Sequence, residues 1–281
     1  MQVGVEAADV TGQVFCRGHY DGQRLRNLGG EVLLGKATLL GQPFSNLHAR
    51  LEVQPDSPDV LRVRDLRADL FGGTVGGEAR VEFGAALRYE LLVEALQIQL
   101  DQFGRHNLGK DAAQAQLQGP LRAGLHVSGE GSDLSGLRGN GRVDVLEGKM
   151  GRLPLQVALL KAFGLRVPDG TAFEQARMLF ALEGPQMRIQ QLDLFGSAVS
   201  LRGEGTVNLD GSHVNLDFHA DPGRVQQFLP GPLAEVPRAI SDQLLKIKMR
   251  GKVGKGGEVR FEKELVPAVT GPLKKALGAS P

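Results

Sequence analysis

Apolar and polar residues alternate with a period of two over most of the chain. Glycine or Asp-Gly interrupts the alternation roughly every 8 to 15 residues, which is the pattern of antiparallel hairpins. The clearest unit runs from Val199 to Phe218. Its first arm places Val199, Leu201, Gly203, Gly205, Val207 and Leu209 on one face and Ser200, Arg202, Glu204, Thr206 and Asn208 on the other. After an Asp210-Gly211-Ser212 turn, Val214, Leu216 and Phe218 resume the apolar face, while His213, Asn215, Asp217 and His219 hold the polar one.

The unit recurs. Asp69-Leu70-Phe71-Gly72-Gly73 returns as Asp193-Leu194-Phe195-Gly196-Ser197, and each copy leads into an arm, a glycine turn and a second arm. Leu137-Arg138-Gly139-Asn140-Gly141-Arg142-Val143 echoes Leu201-Arg202-Gly203-Glu204-Gly205-Thr206-Val207, with a weaker echo at Met249-Arg250-Gly251-Lys252-Val253. Repeated hairpins predict a mainly β fold: an elongated, curved antiparallel sheet, a β-groove, with a few short helices. A compact sandwich is the alternative. Helices are predicted over residues 154–164, where Pro154 opens an apolar run that Gly164 stops, in a Pro-interrupted insertion over 223–245, and near the C-terminus. The predicted divisions are 1–118 (hairpin repeats), 119–263 (a β-groove carrying the 154–164 helix and the 223–245 insertion) and 264–281 (a helical tail).

Charge adds no partner to this picture. The 33 basic and 32 acidic residues are interspersed and sum to +1, so no basic field points to nucleic acid. A single cysteine, Cys16, excludes an intramolecular disulfide. No signal peptide or membrane-spanning segment is predicted, the longest apolar-rich run, Leu153 to Leu165, being far below the ~20 residues a span needs. The chain begins inside a strand-like alternation, as expected for the downstream part of a longer protein.

Catalytic chemistry finds no residues. Gly251-Lys252-Val253-Gly254-Lys255-Gly256 lacks the spacing and the hydroxyl of a phosphate-binding loop, and Gly136 to Gly141 leads into a strand where a dinucleotide site needs a helix. His213, Asn215, Asp217 and His219 share a strand face, but same-face neighbours lie about 7 Å apart, a poor fit to one tetrahedral ion. They read as the wet side of a hairpin. Cys16 and His19 face opposite ways on a strand. Carboxylates are scattered singly, and zero tryptophans with two tyrosines leave no platforms for carbohydrate. The expectation is a protein that is not an enzyme, without metal or cofactor.

One constellation resembles a known family. Leu137-Arg138-Gly139-Asn140-Gly141-Arg142-Val143, then Glu147-Gly148-Lys149-Met150-Gly151-Arg152-Leu153-Pro154-Leu155, then Phe173, then Gln191-Leu192-Asp193-Leu194-Phe195-Gly196-Ser197 and Leu201 to Asp210 together resemble the AsmA-like C-terminal region. That family is related to TamB and other bridge-like lipid transfer proteins of bacterial envelopes. The similarity is strongest over residues 119–220. It implies a non-enzymatic β-groove that moves phospholipid toward the outer membrane, in the periplasm and anchored in the inner membrane, with a phospholipid or membrane surface and envelope proteins as partners. The anchor the family carries is not found in this chain.

The expected lipid groove comprises Val143, Val145, Val199, Leu201, Val207, Leu209, Val214, Leu216 and Phe218, with Leu155, Leu159 and Phe163 of the predicted helix as a wall or plug. Arg152, Lys161 and Arg166 flank that helix. The 39 glycines divide into turn residues and a second set, Gly77, Gly139, Gly141, Gly203, Gly205 and Gly251, in phase with the apolar positions of their own strands. Glycine inside a strand marks a bend or a close approach, so these six are expected as a strip on the concave face, under the helix or an acyl chain. A structural or protein-interaction module working through a strand edge is the competing expectation.

Overall fold

The structure, a computed structural model, describes residues 7–20, 25–108, 117–131, 133–151, 172–196, 200–220, 246–252 and 259–264. The predicted helices at 154–164, 223–245 and the C-terminus lie outside these residues, as does Val199. The chain is mainly β. Sixteen strands and one short helix are present among the described residues, and no described helix is long and apolar enough to cross a membrane.

The described residues form two compact units, one drawn from Met1–His106, Pro120–Val143 and Ala181–Pro185, the other from Asn107–Gly119, Asp144–Phe180 and Gln186–Pro281. In the first, β1 (Ala7–Tyr20), β2 (Leu25–Leu39), β3 (Gln42–Val53), β4 (Val60–Leu70), β5 (Gly73–Glu82) and β6 (Arg88–Gln99) each pair antiparallel with the next. Helix α1 (Leu100–Leu108) and the short β7 (Leu117–Gln118) follow in sequence. Then β8 (Pro120–Glu130) pairs with β6, and β9 (Arg138–Val145) adds to β8. β8 thus belongs with the hairpins before it, although it lies beyond residue 118.

In the second unit, β10 (Lys149–Gly151) pairs with β7 and with β11 (Ala172–Glu183). The order continues through β12 (Gln186–Gly196), β13 (Ser200–Asn208), β14 (Val214–Ala220), β15 (Lys246–Gly251) and β16 (Val259–Glu264), with antiparallel registers from β12 onward.

Strand alternation is not strict, and its interruptions are local. Registers slip between Ser45 and His48, Val63 and Leu66, and Ala95 and Ile98. At each slip one polar residue has a positive φ: Asn46 at 51°, Asp65 at 52° and Gln97 at 59°. Asn and Asp tolerate this left-handed conformation better than other side-chain-bearing residues. Each therefore makes a β-bulge that inserts one extra polar residue, sharpens the local twist, and returns the following Leu47, Leu66 or Ile98 to the apolar face.

The 1–118 region, predicted as hairpin repeats, contains α1. Asp101 in its first turn and Arg105 in its last suit the helix dipole, and the two pair at 2.8 Å across one turn. The helix docks on the β4–β5 turn: Phe103 packs edge-on against Phe71 at 5.8 Å, and His106 lies 5.4 Å from the same ring. The Nε2 of His106 is 2.7 Å from the Gly41 carbonyl oxygen. With nine residues and few apolar ones, this helix has no period strong enough to stand out from its strand-rich surroundings.

Candidate functional site

Antiparallel pairing aligns the apolar positions of the first unit into rows. One row runs Val53, Leu61, Val81, Tyr89, Gly129; the next Leu51, Val63, Ala79, Leu91, Val127; the third Leu66, Gly77, Val93, Leu125. In the first row the ring of Tyr89 lies where a Cβ on Gly129 would sit. Val53, Val127 and, one row further, Ala68 and Val75 are 5 to 8% exposed. Leu51, Leu61, Leu66, Val81, Leu91, Val93 and Leu125 are only half-buried. Each has a hydrogen-bonded strand on both sides, so its remaining exposure is toward the face itself. A second layer packed on that face would have closed it, as in a sandwich.

The groove residues expected in the second unit are placed differently. Leu201, Val214, Leu216 and Phe218 share one face with Ile189, Leu194 and Met249, and all are between 0 and 7% exposed. They are core, so a ligand reaches them only by displacing what already covers them. Val145 is 4% exposed, while Val143 and Val207 are half-buried. Leu209 leaves the face altogether and is 41% exposed. The strand ends at Asn208, whose N–H donates to the His213 carbonyl at 2.9 Å and closes the turn before Leu209 can pair. Leu155, Leu159, Phe163 and Val199 lie outside the described residues.

Gly203, Gly205 and Gly251 fall on the apolar face of their unit and Gly77 on that of its own, and Gly139 and Gly141, which alternate with the exposed Arg138, Asn140 and Arg142, lie on the Val143 side of β9. Within the second unit the three fall in different cross-strand rows. Gly203 pairs with Phe218, Gly205 with Leu216 and Gly251 with Val214. A Cβ on Gly203 would sit 2.7 Å from two carbons of the Phe218 ring, so that ring takes the space expected for a helix or an acyl chain. Gly205, at φ 144°, and Gly77 instead bring their backbones against the Asn215 and Leu92 carbonyls of the next strand.

The opposite, polar face carries clefts. One of about 600 Å³ is lined by Arg62, Arg64, Arg80, Glu78, Glu90, Leu92 and His126. A second, of about 870 Å³, shares Arg64, Glu78 and Leu92 with it and extends to Asn46, Asp69, Glu94 and Leu96. Ion pairs lace this face: Arg50 to Asp65 at 3.0 Å, Arg64 to Glu52 at 3.4 Å and Arg80 to Glu82 at 3.5 Å. His48 meets Glu31 at 2.8 Å and His126 meets Glu90 at 2.9 Å. The arginines involved are at least half exposed, so each pair contributes no more than about 1 kcal/mol.

In the second unit the polar face holds two buried carboxylates, Asp193 and Asp144, 5% and 7% exposed. Asp193 accepts from Arg202 Nε at 3.2 Å and Gln191 Nε2 at 2.5 Å, and Asp144 accepts from Arg177 Nε at 3.1 Å. Asp217, in the strand face considered for metal, is joined to Arg250 at 2.7 Å. Among the described residues no group of three or more His, Cys, Asp or Glu could hold a metal ion. Cys16 is exposed on β1. In two exposed turns a serine holds a carboxyl below its ordinary pKa, through its hydroxyl and its backbone N–H: Ser135 for Asp133 and Ser212 for Asp210. No family model, curated protein or solved structure matches the chain.

Proposed function

We propose that the chain is a non-enzymatic lipid-binding module of the bacterial envelope, similar to the AsmA-like C-terminal region, that holds phospholipid acyl chains on the apolar face of its first unit. The observation that carries this reading is the half-buried interior of that face: Leu51, Leu61, Leu66, Leu91, Val93 and Leu125 are flanked by paired strands yet remain accessible. Full burial of an acyl chain is worth about 0.8 kcal/mol per methylene, so ten methylenes on such a face yield at most roughly 8 kcal/mol, and less where the chain stays exposed on its outer side, with no polar chemistry. Phospholipid transfer serving outer-membrane biogenesis is the role this reading assigns.

Native mass spectrometry after gentle extraction tests it. Adducts of phospholipid mass are expected, diminished in Leu91→Gln. A lipid-free protein that takes up no labelled phospholipid refutes the proposal. The described clefts on the polar face favour a second reading, a protein-interaction module. It predicts a lipid-free species in the same experiment, the same for the native chain and Leu91→Gln.

A further inference from the structure

We propose that Arg62, Arg64 and Arg80 form a binding site for a phosphate-class oxyanion on the polar face of the first unit, opposite the face assigned to acyl chains. β4 places Arg62, Arg64 and Arg67 on this one face, the bulge at Asp65 preserving the side on which Arg67 emerges. Pairing then sets like charges directly across from each other: Arg62 faces Arg80 on β5, and Arg64 faces Arg50 on β3. Directly opposed like charges destabilise a sheet, and the usual remedy is a carboxylate for each. Arg50, Arg64 and Arg80 have one, at 3.0, 3.4 and 3.5 Å.

Arg62 does not. It is half-buried, and no carboxylate among the described residues lies within ion-pair distance of it. Its other cross-strand neighbour, Glu52, is committed to Arg64 at 3.4 Å and accepts from Gln54 at 3.1 Å. Two acids line the same cleft. Glu90 stands directly across from Arg80 but is engaged by His126 at 2.9 Å, and Glu78, on the same face of β5 as Arg80, forms no ion pair with Arg62, Arg64 or Arg80, so neither acid is a partner of Arg62. A tetrahedral oxyanion fits this arrangement. Its oxygens match the fork of a guanidinium, it relieves the Arg62–Arg80 opposition, and a cleft of about 600 Å³ admits it with whatever group it esterifies.

Titration of the 281-residue chain with inorganic phosphate and glycerol phosphate at low ionic strength, followed by calorimetry, tests the site. Saturable one-to-one binding is expected, weakened at least tenfold in Arg62→Gln and Arg80→Gln and unchanged in Arg122→Gln, which removes the same charge from an exposed position of β8. Far-UV circular dichroism establishes that each variant is folded. Phosphatidylglycerol vesicles separate the sources. Binding of soluble phosphate alone identifies a soluble ligand, and Arg62-dependent binding of both identifies a lipid headgroup. Absence of saturable phosphate binding, or an equal loss in Arg122→Gln, overturns the proposal. Because it concerns the face away from the acyl chains, its failure leaves the lipid reading standing.

Discussion

The pairing of Gly203 with Phe218 makes a strong quantitative prediction. Phe218 is 0% exposed, and a Cβ on residue 203 would fall 2.7 Å from its Cδ1 and Cε1 carbons. Gly203→Ala therefore has to move a fully buried ring, an overpacking cost of about 1–3 kcal/mol against the ~0.5–1 kcal/mol that alanine regains over glycine inside a strand. Phe218→Leu shortens the side chain and costs about 1–2 kcal/mol as a partial cavity. In the double variant the alanine methyl enters the space the ring has left. The two changes should then couple favourably by about 1–2 kcal/mol, measured as a double-mutant cycle by urea unfolding with calorimetric midpoints as a check. Gly124→Ala, which meets nothing within 4 Å, is the control and should be neutral or slightly stabilising. Additivity within about 0.5 kcal/mol would refute the idea that the ring is why residue 203 is glycine. Gly205→Ala should show no such rescue by Leu216→Ala, because its obstacle is the Asn215 carbonyl.

Other expectations follow from the bulges, the buried carboxylates and the turns. Gln97→Gly should be neutral or stabilising by up to about 1 kcal/mol, whereas Gln97→Val should destabilise by more than 1 kcal/mol, since φ is 59° there; a reversed order in thermal unfolding would contradict the bulge. Arg202→Ala should cost about 1–2 kcal/mol by urea unfolding, less than a fully buried pair because Arg202 is 76% exposed while the Asp193 side chain is 6% exposed. No change would mean that Gln191 alone satisfies the carboxylate. The Asp210 carboxyl is held below its ordinary pKa by Ser212, so its contribution is present above the unfolded-state value and is lost as pH falls through the folded one. The protection of the Ser212 amide, taken relative to its intrinsic exchange rate at each pH, should fall over that acidic window in the native protein and stay constant in Asp210→Asn.

The Val214–Phe218 arm shows how far alternation carries. Its apolar residues face Val207, Gly205 and Gly203 as parity requires, because an antiparallel ladder transmits the side-chain phase from strand to strand without error. Parity does not reveal a bulge by itself. The apolar-face positions 63 and 66, or 95 and 98, are separated by two residues rather than one, Arg64 and Asp65 in the first case and Leu96 and Gln97 in the second, and Asp65 or Gln97 is the extra residue. That spacing was present in the chain as a signal, an Asn, Asp or Gln before Leu or Ile. The accessible face was harder to locate, since Leu91 and Leu216 look alike as alternating leucines. Whether either is covered depends on segments distant in sequence.

What the sequence determined by itself is the β class, the antiparallel hairpins, and which side of each strand is apolar, since these follow from a two-residue period and from glycine at turns. The tertiary structure decided the rest. Burial closed the face at Leu201, Leu216 and Phe218 and left it half-open at Leu61, Leu91 and Leu125. Strand register put Arg62 opposite Arg80 and the Phe218 ring over Gly203. Both depend on residues that are neighbours only after pairing, and no local pattern encodes the distance between them.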